Sequence, residues 1–120
     1  MKSVLLVDDS KAMRMIVRRT LRQAGYSDLK VTEAVNGSDA LSKLGGASPD
    51  LILCDWNMPE MNGIEFLRTL REQGEKVTFG FVTSEATPEM RATAADAQAQ
   101  FLIAKPFTAD TFRNILKDYL

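Results

Sequence analysis

The sequence predicts an α/β protein in which helices cover both faces of a parallel β-sheet. Five short apolar segments alternate along the chain with five segments whose apolar residues recur at helical spacing. One of the short segments, Leu51-Ile52-Leu53-Cys54, is apolar at every position. Continuous apolar runs of this length are typical of strands buried on both faces, as in parallel sheets.

The predicted strands cover residues 4–7, 30–34, 51–54, 77–82 and 101–104. The second alternates weakly between apolar and polar residues, which suits an edge of the sheet. Gly80 lies inside the fourth, and a glycine there usually indicates that another backbone approaches closely. Right-handed crossovers between the strands predict a parallel sheet covered by helices on both faces. Among such folds we expect a flavodoxin-like three-layer sandwich: a five-stranded parallel sheet of order 2-1-3-4-5 with five helices on both faces.

Each strand is followed by a predicted helix. Ser10 or Asp9 would cap the first helix and Gly25 would stop it, and Pro88 suits the first turn of the fourth. Gly45-Gly46 would stop the second helix, and the third would close near Gly74. The apolar faces of the first three helices are Met13, Ile16, Val17, Leu21 and Ala24; Ala40, Leu41 and Leu44; and Ile64, Phe66, Leu67 and Leu70. The fourth helix has the alanine-rich residues 92–99, and the fifth has Phe112, Ile115, Leu116 and Tyr119.

Length and composition predict one domain over residues 1–120, with no output domain after it. The formal charge of −1 leaves no basic surface of the kind that binds nucleic acid. The only cysteine, Cys54, cannot form an internal disulfide, and no apolar segment is long enough to insert into a membrane. We therefore expect a cytoplasmic monomer. Because the chain has no histidine, it cannot carry Ser-His-Asp or Cys-His catalysis, and any phosphohistidine must belong to a partner.

Acidic residues follow two strands that the predicted order makes neighbours. Asp8 and Asp9 follow the first strand and Asp55 follows the third. Two carboxylates about 4 Å apart repel by roughly 4 kcal/mol at an effective dielectric of about 20. Lys105, after the fifth strand, is the one cation expected at this edge, and a single lysine leaves excess negative charge. Hard oxygen ligands in an open pocket favour Mg²⁺, so the sequence predicts a magnesium site.

Each of these residues also has an ordinary structural interpretation. Asp8-Asp9-Ser10 could serve only as a helix cap, Asp55 could be a turn residue, and Lys105 could be a solvated surface charge. Their joint occurrence at strand ends favours chemistry instead. A carboxylate can act as a nucleophile toward phosphorus, with Lys105 and the hydroxyl of Thr83 at the end of the fourth strand contacting phosphoryl oxygens.

These residues occur in motifs that together resemble the receiver domain of two-component response regulators, over nearly the whole chain. The sequence motif around Asp55 is most similar to that of single-domain chemotaxis regulators. The matching motifs are Val7-Asp8-Asp9-Ser10, Cys54-Asp55-Trp56-Asn57-Met58-Pro59-Glu60-Met61-Asn62-Gly63, Thr83-Ser84 and Lys105-Pro106-Phe107. The strand order given above belongs to that family, so the resemblance implies it as well.

The resemblance implies specific roles in the pocket. Asp55 would be phosphorylated. Mg²⁺ would be bound by Asp9, the Asp55 side chain and the backbone carbonyl of Asn57, with Asp8 acting through water. Lys105 would contact the phosphoryl group. A cis peptide before Pro106 occurs often in the family, but the sequence alone leaves this bond undecided.

The resemblance also implies a switch. Thr83 would report the phosphoryl group, and Phe101 would fill the space that Thr83 vacates, so that the surface of helix 4, strand 5 and helix 5 changes shape. Chemotaxis regulators often carry a tyrosine where we place Phe101, and Phe101 lacks the hydroxyl that a motor-type interface could use. Expected partners are a histidine kinase or phosphotransfer domain, a downstream target such as the flagellar motor switch, and a phosphatase.

Helix 1 carries a basic stripe, defined here as Lys11, Arg14, Arg18 and Arg22. A solvated helix face is one interpretation. The other interpretation is a docking surface for an acidic kinase or phosphotransfer partner, because helix 1 would lie beside the reactive edge of the sheet.

Other functions remain open at this stage. A phosphorelay intermediate or a phosphate sink would share the same residues. An aspartyl-phosphate phosphatase of the haloacid dehalogenase type needs a second acid two residues after its nucleophile, where this chain has Asn57. We therefore expect no enzyme beyond self-catalysed phosphotransfer and autodephosphorylation. A flavodoxin-like mononucleotide binder is disfavoured because Asp8 and Asp9 would repel a phosphate.

Overall fold

A five-stranded parallel sheet forms the centre of the molecule in the computed structural model, which describes residues 2–45 and 48–120. The strands are β1 (Lys2–Val7), β2 (Leu29–Ala34), β3 (Leu51–Cys54), β4 (Thr78–Thr83) and β5 (Phe101–Ala104). Their order across the sheet is β2-β1-β3-β4-β5. Both the predicted fold class and the predicted strand order are therefore confirmed, and β1 and β3 end side by side.

In the described residues four helices connect the strands, a fifth follows β5, and together they cover the two faces of the sheet. They are α1 (Lys11–Gln23), α2 (Gly37–Lys43), α3 (Gly63–Glu72), α4 (Pro88–Asp96) and α5 (Ala109–Leu116). Of the predicted Gly45-Gly46 stop after α2, only Gly45 lies within the described residues. Over the described part of the chain, no helix has the length and apolarity needed to cross a membrane.

Every helix starts at a side chain that caps it. The cap residues are Ser10, Asn36, Asn62, Thr87 and Thr108. In each case the side-chain oxygen accepts a hydrogen bond from the backbone N–H three residues further on, which satisfies a donor that the helix cannot pair internally. Ser10, rather than Asp9, is thus the cap of α1, and Asp9 remains available to the pocket.

The sheet separates two apolar cores, because side chains alternate between its faces. Ile52 and Cys54 of β3 pack with residues of α2, α3 and α4 on one face. Leu51 and Leu53 pack with residues of α1 and α5 on the other. This double burial explains why the segment before Asp55 is apolar at every position.

The buried face of α1 differs from the predicted one. Ile16 was expected inside but is 38% exposed, and its neighbour Met15 is 61% exposed. Thr20 is buried instead, and its hydroxyl donates to the carbonyl of Ile16 at 2.8 Å. Because the helix satisfies this hydroxyl internally, a threonine can occupy the core-facing row with Val17 and Leu21. Ile16 is left on the outer edge of that row.

Helix α4 ends before the predicted alanine-rich stretch does. Gln98 takes a left-handed backbone conformation with a φ of 70°, two residues after the helix ends at Asp96. The following Gln100 pairs twice with Phe79 of β4: its N–H donates to the Phe79 carbonyl at 2.8 Å, and its side-chain oxygen accepts from the Phe79 N–H at 2.7 Å. These sheet contacts outweigh the helix propensity of the remaining alanines.

Gly80 is approached by a side chain, not by the predicted backbone. Phe101 is its partner across the β4–β5 pair. A Cβ atom at position 80 would fall inside the Phe101 ring, well within van der Waals contact. The ring is held from its other side by Tyr119, with 5.3 Å between ring centroids. Gly80 therefore makes room for an aromatic side chain that closes the α5 side of the sheet.

Replacing Gly80 with alanine should lower the free energy of unfolding by about 1 to 3 kcal/mol, because the added methyl group overpacks the Phe101 ring. Urea denaturation would measure this change. The same substitution made in a Phe101→Ala background should cost much less, since the clash is gone. An equal cost in both backgrounds would show that Phe101 is not the reason for the glycine.

Candidate functional site

The residues singled out in the sequence meet at the carboxyl edge of the sheet. Asp8 and Asp9 follow β1, Asp55 follows β3, Thr83 ends β4 and Lys105 follows β5. All neighbouring strands are parallel, so these ends share one edge. Ligands of open α/β sheets bind outside this edge, where the strand order reverses. The structure thus brings together the acids, the lysine and the threonine that were predicted to cooperate.

Three carboxylates form the centre of the site. Asp8, Asp9 and Asp55 each present an oxygen, and these three oxygens lie within 4.8 Å of one another. Lys105 Nζ is 3.6 Å from an oxygen of Asp8 and 3.6 Å from an oxygen of Asp55. The lysine side chain is only 16% exposed, so its charge is directed into the pocket. One ammonium among three carboxylates leaves the pocket negative.

Local hydrogen bonds set the direction of the buried Asp8 and the partly buried Asp55. Asp8 Oδ1 accepts from the N–H of Ser10 at 2.9 Å, and Asp55 Oδ1 accepts from the N–H of Trp56 at 2.7 Å. In both residues the other oxygen, Oδ2, is the one that faces Lys105. The turns that follow β1 and β3 therefore hold the carboxylates in a convergent arrangement.

The electrostatics of Asp55 show the strain of this arrangement. Burial raises the pKa of Asp55 above its ordinary value, and the charges of Asp8 and Asp9 raise it further. Lys105 and the N–H of Trp56 act in the opposite direction without cancelling the effect. The ionised pocket is consequently short of positive charge. Its oxygen-only donor set and its negative excess fit a hard divalent cation such as Mg²⁺.

Thr83 is fully buried beside this pocket. Its hydroxyl accepts a hydrogen bond from the N–H of Glu85 at 3.3 Å, and its carbonyl accepts from the N–H of Lys105 at 2.8 Å. The Glu85 side chain in turn accepts from the Asn57 side chain at 3.4 Å. Asn57 and Glu85 are exposed and bridge the β3 and β4 loops at the mouth of the site. The predicted use of the Asn57 carbonyl as a metal ligand stays a prediction.

The structure does not bring Phe101 to Thr83, which corrects the predicted switch. Thr83 lies on the α4 side of β4, two residues from Phe81 in the core on that face. Phe101 packs in the core on the α1 and α5 side. Side chains one residue apart on a strand point to opposite faces, so the β5 residues on the Thr83 side are its register partner Ala104 and the buried Leu102. Phe101 cannot fill space beside Thr83 without crossing the sheet.

The predicted basic stripe is not a uniform row of solvated charges. Arg14 and Arg18 both bind the carboxylate of Glu33 on β2, at 2.6 Å and 2.8 Å. Arg14 also donates from Nη1 to the backbone carbonyl of Asp8 at 2.6 Å. Of the stripe, only Lys11 and Arg22 are exposed, and Arg14 and Arg18 are partly buried. Sequence reasoning identified Arg14 as basic but missed its contact with the pocket, because Glu33 comes from a strand separated in sequence.

Two further residues, Gly63 and Cys54, and the peptide bond before Pro106 complete the local structure. The N–H of Gly63, the first residue of α3, donates to the carbonyl of Trp56 at 2.8 Å. A Cβ atom there would collide with the Asp55 carbonyl, so the glycine lets α3 start directly against the end of β3. Cys54 is buried, and burial raises the pKa of its thiol well above the ordinary value. The bond before Pro106, left open by the sequence, is cis.

The fold places the chain among the doubly wound α/β proteins. Its site consists of a lysine and three convergent carboxylates at the point where the strand order reverses. The family of response regulator receiver domains matches residues 4–117. The chain belongs to this family, which confirms the resemblance seen in its motifs.

Similar proteins include chemotaxis regulators. The chain is 36% identical to chemotaxis protein CheY1 of Helicobacter pylori over 117 residues, which cover 95% of this chain and 93% of that protein. It is 38% identical to chemotaxis protein CheY-3 of Vibrio cholerae over 115 residues, covering 94% and 87%. Among solved structures, Vibrio cholerae chemotaxis protein CheY4 superposes with a TM-score of 0.86 at 36% identity, over 100% of this chain and 99% of that one. A CheY-like receiver domain of Methanospirillum hungatei gives 0.84 at 26% identity, covering 98% and 92%.

Replacing Asp55 with asparagine should stabilise the metal-free protein at pH 7 by about 1 kcal/mol, the size of one screened charge repulsion. The sign follows from the raised pKa of Asp55. Folding favours the protonated form of Asp55. The stability that this protonation contributes is therefore fully present below the ordinary pKa of 3.8 and is lost as the pH rises through the pKa of Asp55 in the folded protein. Urea denaturation at pH 7 and at pH 3 would measure the difference.

Asp50 is the matched control. Its pKa is lowered, first by a hydrogen bond from the N–H of Ser3, so Asp50→Asn should not stabilise the protein at pH 7. If Asp55→Asn proves less stable than the unchanged protein in the absence of metal, the account of a strained, over-negative pocket is wrong.

Proposed function

We propose that this protein is a phosphorylation-dependent switch in which Asp55 accepts a phosphoryl group. One observation carries the proposal: the Lys105 ammonium contacts oxygens of both Asp8 and Asp55 at 3.6 Å inside a pocket of three carboxylates. Such a pocket has a nucleophile, a site for a divalent cation and a charge that can hold a phosphoryl oxygen.

The phosphodonor is a phosphohistidine of a histidine kinase or phosphotransfer domain. An Asp55 carboxylate oxygen attacks phosphorus, the bond from phosphorus to the imidazole nitrogen breaks, and the imidazole leaves with the electron pair and takes up a proton. An acyl phosphate on Asp55 results. Asp8, Asp9 and Asp55 would hold Mg²⁺, with the Asn57 carbonyl. Bound Mg²⁺ supplies charge neutralisation at the transferring phosphoryl oxygens.

Lys105 and Thr83 convert the new charge into a structural change. Lys105 follows the phosphoryl oxygens, and Thr83 turns its hydroxyl toward them, which breaks its hydrogen bond with the N–H of Glu85. The loop between β4 and α4 then shifts, and Leu102 repacks on the same face. The altered surface of α4, β5 and α5 controls a partner by a population shift between two states.

The relatives named as chemotaxis proteins favour a role in chemotaxis for this chain. A phosphorelay intermediate or a phosphate sink would use the same pocket and is the second candidate. Turnover of external phosphomonoesters is disfavoured, because Asn57 stands where a general acid would be needed and its side chain is engaged with Glu85. The buried thiol of Cys54 fits a cytoplasmic location.

Incubation with a small phosphodonor and Mg²⁺ should add the mass of one phosphoryl group, measured by intact mass spectrometry. A chelator should prevent the addition. Asp55→Asn should abolish it, whereas the control Asp50→Asn should leave it unchanged. The proposal fails if the unchanged protein gains no mass, or if Asp55→Asn is modified at the same rate.

The surface next to the pocket suggests where the donor docks. A groove of about 400 Å³ is lined by Met13, Ile16, Ser84, Lys105, Pro106 and Phe107. Lys105 belongs both to this groove and to the pocket, so a protein that delivers a phosphoryl group to Asp55 must pass over it. Ile16 is 38% exposed and contributes accessible apolar surface to the groove. The apolar groove replaces the basic stripe as the expected docking surface.

Ile16→Asp should slow phosphotransfer from the cognate kinase or phosphotransfer domain about tenfold, because a charge replaces an apolar contact at the interface. Transfer from a small donor should be unchanged. Met15→Asp is the matched control, since Met15 is more exposed but does not line the groove. Equal slowing by both substitutions, or with both donors, would exclude the groove as the docking surface.

A further inference from the structure

We propose that Arg14 and Glu33 form a positioning pair that sets the affinity of the pocket for its divalent cation. The pair acts through the backbone of Asp8 and touches neither substrate nor metal. This inference rests on the proposed function for the identity of the pocket. Its test uses the metal alone, so the two can fail separately.

Arg14 reaches from α1 to the turn that carries the acids. Its Nη1 donates to the carbonyl of Asp8 at 2.6 Å, and its Nε donates to Glu33 Oε1 at 2.6 Å. The arginine side chain is only 12% exposed. It also lines a cavity of about 10 Å³ behind the pocket, together with Asp8 and Asp55. Charge-assisted hydrogen bonds of this length are among the strong ones in proteins.

Asp8 is thereby fixed through both polar groups of its backbone. Its N–H donates to the carbonyl of Ala34 at 3.1 Å, which extends the β1–β2 pairing by one residue. Its carbonyl is held by Arg14. The next residue is Asp9, so a rotation about the Asp8 backbone would move both carboxylates. Repulsion from Asp55 favours such a rotation, and the arginine opposes it.

Glu33 has two effects on Arg14. It orients the guanidinium toward the Asp8 carbonyl, and it cancels a positive charge that would otherwise weaken cation binding. Arg18 binds the second oxygen of Glu33 at 2.8 Å and holds the carboxylate in place. Burial alone would raise the pKa of Glu33, but the hydrogen bonds from Arg14 and Arg18 bring it below the ordinary value. Glu33 is therefore ionised at neutral pH.

The sign of the effect distinguishes positioning from simple electrostatics. If Arg14 acted only as a nearby positive charge, Arg14→Gln would strengthen cation binding. If it positions Asp8 and Asp9, the same substitution must weaken binding, although it removes a repulsive charge. Glu33→Gln should weaken binding under either view, because it releases and unmasks the guanidinium. Arg14→Gln is thus the decisive variant.

The experiment is a Mg²⁺ titration of each variant without phosphodonor, followed by the fluorescence of Trp56, the only tryptophan, and by calorimetry. Outer-shell partners of metal ligands typically change affinity by about 10- to 100-fold, so Kd should rise about tenfold in Arg14→Gln and in Glu33→Gln. Arg22→Gln is the matched control, because it removes one positive charge from the same stripe at an exposed residue. It should change Kd less than about twofold, since solvent screens an exposed charge. The double variant Arg14→Gln/Glu33→Gln should have a Kd no higher than that of the single variant with the higher Kd, because the two residues act as a unit.

Urea denaturation without metal shows whether each variant is folded at the titration temperature. Arg14→Lys, which keeps the charge but cannot make both hydrogen bonds, serves if Arg14→Gln does not fold, and it too should raise Kd. An unchanged or lower Kd in a folded Arg14 variant overturns the inference. If the unchanged protein binds Mg²⁺ but is never phosphorylated, the proposed function fails and the positioning pair stands. If it binds no Mg²⁺, both are overturned.

Discussion

Mutual repulsion among Asp8, Asp9 and Asp55 is the constraint around which the carboxyl edge of the sheet is built. The parallel sheet forces these carboxylates together, because β1 and β3 end side by side. Lys105 offsets part of the charge, and the turns after each strand direct one oxygen of each buried acid toward the lysine. The remaining negative charge fits a divalent cation, and the proposed transfer of a phosphoryl group to Asp55 depends on it.

Alternation of side chains along the strands decides which residues can sense this pocket. Thr83 and Leu102 share the α4 side of the sheet, whereas Phe101 lies on the α5 side above Gly80. A shift of one position along a strand moves a side chain through the sheet. Phe101 is therefore a packing residue in this structure, held between Gly80 and Tyr119, and any response to phosphorylation must pass through the opposite face.

Helix α1 serves the site from two sides. Arg14 points inward and joins the backbone of Asp8 to Glu33 of the edge strand. Met13 and Ile16 line the groove beside Lys105 on the outer side. Arg14 thus holds the acidic turn, whereas Met13 and Ile16 of the same helix form the outer groove. The same helix therefore contacts both the acidic turn and the groove proposed for docking.

The sequence by itself determined the fold class and the group of residues at the reactive edge, because these follow from periodicity, turn residues and motif spacing. The strand order was implied by the resemblance of the sequence motifs to a known family. The sequence also determined all five strand positions to within two residues at either end. The tertiary structure alone decided the partners of Arg14, the face that Phe101 occupies and the point at which α4 ends. Each of these depends on a contact with a residue distant in the chain (Glu33, Gly80 and Phe79), and local patterns carry no information about such contacts.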